Sequence, residues 1–325
     1  MLLFLTLVAE YSATLYSVLV AGSTGIENYR HQADLCHSYH LLVDCMAVDP
    51  SQVTVMMYDD VAWSPMNPLI GRLFNEPDGD NVYEGCLVNH RKENVTVDNF
   101  LAVLNNLAAL GNATKNLFVS FVDHGQPRSL MFPNGEQLSG NRLVESLHTI
   151  SSRFANILVY VEACFAGSVF EDHKLPSNTL AVTAANATES SWGTFCPTSQ
   201  HPDADAVNGI HIGTCLGDLF ELAWIKDIEA RIEEGSIRKS TLEDHITRVR
   251  ETVNRKSHVV VYGNEDMLNM NISDFFPFRN QTVTPKNGKK IDAKLMIESS
   301  RMSKCDWVTG IYEAPDKCDT STVVA

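Results

Sequence analysis

Residues 117–125, LFVSFVDHG, and residues 157–168, ILVYVEACFAGS, decide how this chain folds. Each opens with a short, almost wholly apolar run rich in β-branched and aromatic residues, then turns abruptly polar. A run of that length with no polar alternation reads as a strand buried on both faces, as in a parallel sheet. Working outward, 15–21 (LYSVLVA), 53–58 (VTVMMY) and 179–184 (TLAVTA) read the same way, and 258–262 (HVVVY) supplies a sixth. Helical periods fill the gaps. One covers 29–43 with Ala33, Cys36 and Val43 on its apolar face, and another, capped by Thr96, carries Phe100, Leu101, Leu104 and Leu107. Others cover 141–150 and 216–232, and Ser240-Thr-Leu-Glu243 is a capping box opening a helix toward Val253. A Pro/Gly/Asn-rich loop occupies 59–94. Strands alternating with helices predict βαβ units, hence an α/β fold with a mostly parallel six-stranded sheet flanked by helices. The pattern fades after Gly263, which places the domain end near residue 265.

The 325 residues carry 25 Lys+Arg against 40 Asp+Glu, a net charge of −15, with 44% hydrophobic and 20% charged residues. That composition excludes disorder, collagen and coiled coil. The acidic balance excludes a nucleic-acid phosphate binder, and no Lys/Arg run suits anionic lipid. Protonating all eleven His would take −15 to −4, so self-repulsion falls in acid, as suits an acidic compartment. The apolar run at 1–9, MLLFLTLVA, is far short of the roughly 20 residues that cross a bilayer. It reads as the core of a signal peptide over 1–13, although it lacks a basic leader. Sequons at Asn94, Asn112, Asn186, Asn271 and Asn280 also point to the secretory pathway. Eight Cys in this length are too few for a disulfide scaffold.

In an open α/β sheet, chemistry sits beyond the carboxyl ends of the strands. The run at 117 ends in Asp123-His124-Gly125, and the run at 157 ends in Glu162-Ala163-Cys164. A His and a Cys on neighbouring strand ends suit a nucleophilic thiol: the imidazole takes the proton and the thiolate attacks a carbonyl. The N–H groups of Gly125 and Cys164 could then cradle the oxyanion. A Cys or His ending a strand is also common for packing alone. The first run ends in Ala21-Gly22-Ser23, and Arg30 and His31 open the next helix, where a cation opposes the helix dipole. A negative partner or a substrate oxygen would explain that placement, as would simple surface exposure. His31, Cys36, His37 and His40 have ligand-like spacing, but no second Cys/His pair follows as in a zinc finger, so neither metal nor cofactor is expected.

Taken in order, AGSTGIENYRHQADLCHSYHLL, MMYDDVAW, VDHG, VEACFAGSVF, TAANATESSWGTFCP, TCLGDLFELAWIKDIE and HVVVYGNEDM resemble the legumain family of asparaginyl endopeptidases. This is peptidase family C13, within the caspase-like clan, and the plant vacuolar processing enzymes are its nearest-looking members. The resemblance covers about three quarters of the chain. It implies a caspase-like three-layer sandwich over residues 14–265, with 266–325 a short, divergent remnant of the family's prodomain. It assigns Cys164 as nucleophile, His124 as general base and acid, and Asn28 as the residue orienting the His, with Asp123 and Ser190 in support. It assigns Arg30, His31, Glu162, Ser191 and Asp218 to the S1 pocket and pairs Cys196 with Cys215. It further implies cleavage after Asn, and after Asp in acid, with peptide ligation as a side activity. The setting would be a vacuole, a lysosome or the exterior. The implied partners are protein or peptide substrates with exposed Asn and cystatin-type inhibitors, with the active enzyme a monomer that does not span a membrane. An Asn side chain offers one acceptor and two donors, which suits a pocket of Arg30 against Glu162 and Asp218.

Three features depart from the family. Phe165-Ala166 follow the Cys where Glu-Ser is usual, the tail matches the prodomain poorly, and the Asn186 sequon lies near the S1 wall. Cys36, Cys45 and Cys86 read as core or loop thiols, and Cys305 and Cys318 as a pair in the tail. Two other readings stand beside the first: the catalytic subunit of a GPI transamidase, and a non-catalytic binding protein on a peptidase fold.

Overall fold

Five of the six apolar runs lie side by side as parallel strands: β1 (Leu15–Ala21), β2 (Val53–Met56), β3 (Asn116–Val122), β4 (Ile157–Glu162) and β5 (Thr179–Thr183). β6 (Val260–Gly263) closes one edge antiparallel to β5, giving the order β6-β5-β4-β3-β1-β2. The structure is a computed structural model and describes residues 15–46, 48–253, 256–276, 278 and 293–302. The expected signal segment 1–13, the Asn280 sequon, and Cys305 and Cys318 therefore lie outside the described residues. Among the described residues no helix is long and apolar enough to cross a membrane.

Why the runs are uniformly apolar is visible on β3. Phe118 and Val122 enter one core with Trp224 and Ile246, while Leu117, Val119 and Phe121 enter the other with Phe100, Leu104 and Leu147. Helices α1 (Tyr29–His40), α4 (Leu219–Glu233) and α5 (Leu242–Val253) cover the first face, and α2 (Val97–Leu110) and α3 (Gly140–Ser151) the second. Both faces are covered, so neither can carry the polar alternation of a half-exposed strand. Phe118 meets Tyr160, Trp224 and Phe276 at ring-centroid distances of 5.4, 5.7 and 5.1 Å. Burying an aromatic of this size stabilises by about 1.5–3 kcal/mol.

Four details differ from the sequence reading. Packing continues past residue 265, because Ile272, Phe275 and Phe276 are buried in the α4/α5 core without any strand or helix period to announce them. Helix α1 ends at His40 and runs on through a widened turn, Leu41–Cys45. The cap of α5 sits one residue later than expected. Thr241 Oγ1 accepts from Asp244 N at 3.1 Å while Asp244 Oδ2 accepts from Thr241 N at 2.9 Å. Ser240 is instead buried against the Arg231 guanidinium. Finally, Cys36 and Cys86 are not thiols but a disulfide tying α1 to the 59–94 loop, leaving Cys45 and Cys164 as the cysteines outside a disulfide among the described residues.

Candidate active site

β3 and β4 run in parallel register with Val122 opposite Glu162, and Asp123 N donates to Glu162 O at 3.0 Å. Two residues beyond these paired strand ends come His124 on one chain segment and Cys164 on the other. The ends approach so closely that a Cβ at Gly125 would lie 2.1 Å from Cys164 O. After Cys164 the chain turns sharply, with Phe165 in the left-handed region at φ 56°. That turn is held by Phe165 N donating to Glu189 O at 2.8 Å and Ser168 Oγ donating to Phe165 O at 2.6 Å. The Cys164 thiol is buried, 3.9 Å from Ser191 Oγ. Burial pushes its pKa up, opposed by hydrogen bonds from Ser191 and Ser190.

Asn28 lies at the entry to α1 and reaches across to the dyad. Its Nδ2 donates to Thr24 O at 2.8 Å, which turns Oδ1 toward His124 Nε2, also at 2.8 Å. Nε2 must therefore carry the ring proton, leaving Nδ1 with a lone pair in the neutral imidazole. Burial, with the Arg30 guanidinium nearby, holds the His124 pKa down to about 3, so the ring is neutral in the resting site.

Arg30 and His31 open α1 buried rather than on the surface, and a negative partner answers their placement. Arg30 Nε donates to Asp218 Oδ1 at 2.8 Å. His31 Nδ1 meets Ser23 Oγ at 2.6 Å, and its Nε2 lies 3.4 Å from Asp218 Oδ2. The His31 and His124 rings meet edge-on at 5.1 Å. Burial, then Arg30 and His124, hold His31 well below its ordinary range. Glu162 Oε2 accepts from Phe220 N at 3.1 Å, and burial with the Asp218 charge raises its pKa well above normal. Burial likewise raises Asp123. Asp218 Oδ2, Glu162 Oε1 and His31 Nε2 are buried without a hydrogen-bond partner.

The short strand Trp192–Thr194 flanks this buried cluster. It pairs antiparallel with Gly217–Asp218 on one edge and with Arg301–Met302 on the other. A Cβ at Gly193 would sit 3.1 Å from Cys215 Sγ and 3.3 Å from Arg30 Cδ, so the Cys196–Cys215 disulfide backs that strand directly. The catalytic and pocket residues assigned from sequence thus lie in one region: Cys164, His124 and Gly125 just beyond the strand ends and Asn28 at the entry to α1, with Arg30, His31, Glu162, Ser191, Asp218, Asp123 and Ser190 around them. The four residues with ligand-like spacing do not converge, since Cys36 is bonded to Cys86 and His37 faces Asn75 and Glu229. His31, Asp123 and His124 do place ligand-capable atoms within 4.8 Å of one another, although Ser23 and Asn28 already engage one nitrogen of each ring. Of the sequons, Asn94 and Asn112 are exposed and Asn186 and Asn271 half-buried.

Sequence reasoning missed Ser23, the partner of His31, and Asp34, whose carboxylate accepts from Asp218 N at 3.0 Å. Asp34 stands four residues after Arg30 on one helix face, a spacing that could have exposed it. The pairing of Arg301–Met302 with the flanking strand had no local signal.

The family model for peptidase C13 matches residues 15–287. The vacuolar-processing enzyme delta-isozyme of Arabidopsis thaliana is 39% identical over 81% of this chain and 58% of its own length. The hemoglobinase of Schistosoma mansoni is 37% identical over 82% and 60%, and the legumain of Canavalia ensiformis 32% over 92% and 65%. Among solved structures, caspase-1 of Spodoptera frugiperda superposes with a TM-score of 0.46 at 10% identity, covering 77% of this chain and 86% of that one. The chain spans about three fifths of the length of the curated relatives it matches. On the family match, which takes in both ends of the strand pair carrying His124 and Cys164, and on these relatives, the chain belongs to the peptidase C13 family.

Proposed function

We propose that this protein is a cysteine endopeptidase that cleaves on the carboxyl side of Asn, and of Asp in acid. The dyad rests as a neutral thiol beside a neutral imidazole. As Cys164 Sγ bonds to the substrate carbonyl carbon, its proton passes to His124 Nδ1, and Asn28 Oδ1 stabilises the imidazolium through Nε2–H. The N–H groups of Gly125 and Cys164 receive the oxyanion. His124 then protonates the departing amine, leaving an acyl-enzyme. Water attacks that acyl-enzyme with His124 as base, releasing the acid and restoring the thiol. An amine in place of water yields a new peptide bond, which is the ligase side activity.

The observation that carries the choice of Asn is the set of orphaned polar atoms in the pocket. Asp218 Oδ2 and Glu162 Oε1 are buried and make no well-formed hydrogen bond, with His31 Nε2 3.4 Å from the first, beside an Arg30 guanidinium. Leaving such a group unpaired costs about 1–3 kcal/mol, and a carboxamide relieves it with two donors while its oxygen accepts from Arg30. Lys would leave its ammonium beside Arg30, and an apolar side chain would leave the acceptors unpaired. Aspartate meets like charges until acid neutralises it or Glu162, whose raised pKa favours the protonated form. The substrates are proteins and peptides with exposed Asn, met in an acidic compartment of vacuolar or lysosomal type. Arg301–Met302 pair with the strand along which an extended substrate would lie, so these two residues occupy the edge that such a substrate would need.

The test is cleavage of a fluorogenic Ala-Ala-Asn peptide at pH ~5.5, after acid treatment, by the wild type and Cys164→Ala. Release by the wild type alone, with little turnover of the Ala-Ala-Lys analogue, is expected. Equal turnover of the Asn and Lys peptides would sink the pocket reading, and release by Cys164→Ala would sink the mechanism.

A further inference from the structure

Behind the pocket the polar network continues into the 59–94 loop, through a residue that the reaction does not touch. Asn75 is buried there, and its carboxamide is engaged at both ends. Nδ2 donates to Asp34 Oδ1 at 2.7 Å and to Leu216 O at 3.0 Å, while Oδ1 meets His37 Nδ1 at 2.8 Å. Asp34 in turn accepts the Asp218 N–H, and the Asp218 carboxylate accepts from Arg30. One amide in the 59–94 loop therefore bonds to two other pieces of chain: α1 and the residue before the short strand Gly217–Asp218. Gly217 makes the approach possible, since a Cβ there would lie 2.7 Å from Asn75 Nδ2 and 3.1 Å from Asp34 Oδ1. The Cys36–Cys86 disulfide anchors the same loop to α1 only two residues beyond Asp34.

We propose that Asn75 is a positioning residue for the substrate pocket: its amide fixes Asp34 against the Leu216–Asp218 backbone, and so sets the angle at which Asp218 meets Arg30 and the substrate amide. The proposal rests on the pocket reading above. The chemistry explains why an amide stands there and a carboxylate does not. Asp34 and Asp218 already crowd negative charge into a dry site, and Asp34 needs a donor that adds none.

Asn75→Asp tests this, because it keeps size and the acceptor toward His37 but donates to Asp34 only when protonated. The charged and titratable groups around the new carboxyl are Asp34 and His37 from α1, Asp218, and Glu221, Lys226 and Glu229 from α4, with Glu76 next in its own loop. In acid Asp34 and the introduced carboxyl share a proton and the donor is restored. Toward neutrality the two carboxylates repel and the Asp218 backbone shifts.

KM for the Asn peptide should be within about 3-fold of wild type at pH 4.5 and raised about tenfold or more at pH 7, with kcat changing less. Asn75→Leu, which cannot recover a donor, should show the raised KM at both pH values. A purely structural role would lower thermal stability without splitting KM from kcat and without this pH crossover. An Asn75→Asp KM that tracks wild type across pH, or that rises equally at both ends, would overturn the proposal. If the wild type proves indifferent to Asn, the pocket reading fails separately, and the same KM ratios on its preferred residue still decide the coupling.

Discussion

Removing the Asn28 amide isolates the step at which His124 becomes charged. In the resting site the bond from His124 Nε2–H to Asn28 Oδ1, at 2.8 Å, joins two neutral groups and is worth little net. In the transition state the ring is an imidazolium, and the same bond is charge-assisted, worth about 1.5–3 kcal/mol. Only the difference between the two states lowers the barrier, so Asn28→Ala should reduce kcat by roughly 5- to 100-fold with KM nearly unchanged. The burial and the Arg30 charge that hold His124 near 3 remain in place, which is why so modest a group matters: it is the acceptor that steadies a cation formed in a hostile site. Asn28→Asp restores an acceptor with negative charge and should recover most of the loss, while giving up the Thr24 contact. The assay is kcat and KM for the Asn peptide between pH 4 and 7.5. A loss confined to KM, or an Asn28→Asp variant as slow as Asn28→Ala, would refute the idea that Asn28 acts by holding the imidazolium.

Three further outcomes follow from the same structure. Cys36→Ala/Cys86→Ala should lose about 4 kcal/mol of stability in the chain-entropy picture, because the bridge closes a 50-residue separation, and differential scanning calorimetry should show Tm lower by about 10 °C. Glu162, Asp123 and Glu221 are buried acids with raised pKa values, Glu221 at about 7. At Glu221 the folded state thus keeps a proton that the unfolded chain releases above pH ~4.3, a contribution to stability that is lost as pH climbs from there toward 7. The buried neutral His31 and His124 act in the opposite sense below pH ~6.5, and Glu221→Gln should therefore shift the slope of Tm against pH upward over that range. The ratio of Asp to Asn cleavage should rise as pH drops from 7 to 4.5. A ratio that stays flat in peptide assays would deny Glu162 its part in it.

The fold was legible because strands buried on both faces leave unbroken apolar runs, and His124 and Cys164 stood out as candidates because chemistry collects where such runs end. Local grammar sufficed for Thr96, whose hydroxyl accepts from Asn99 N as expected. It misplaced the next cap by one residue because Arg231, nine positions upstream, takes the Ser240 hydroxyl and leaves Thr241 to do the capping. The pocket residues themselves came from the family resemblance, since nothing in local pattern links Arg30 to Asp218 across 188 residues. Asn75, the Cys36–Cys86 bridge and the burial of Phe275 and Phe276 share one cause. Each depends on a partner brought close by tertiary packing, in segments with no repeating period to read.

The central claim is that Cys164 attacks carbonyls next to Asn, and the protein contains its own control. Cys45 also lies outside any disulfide, but burial and nearby acids push its pKa up to about 12, so it is a poor nucleophile. Intact-mass and peptide-mapping spectrometry after treatment with a thiol-reactive Ala-Ala-Asn ketone at pH ~5.5 should show one adduct, on Cys164, that the Lys analogue does not form and Arg30→Ala abolishes. Labelling of Cys45 in its place, or equal labelling of Cys164 by the Asn and Lys probes, would contradict the account.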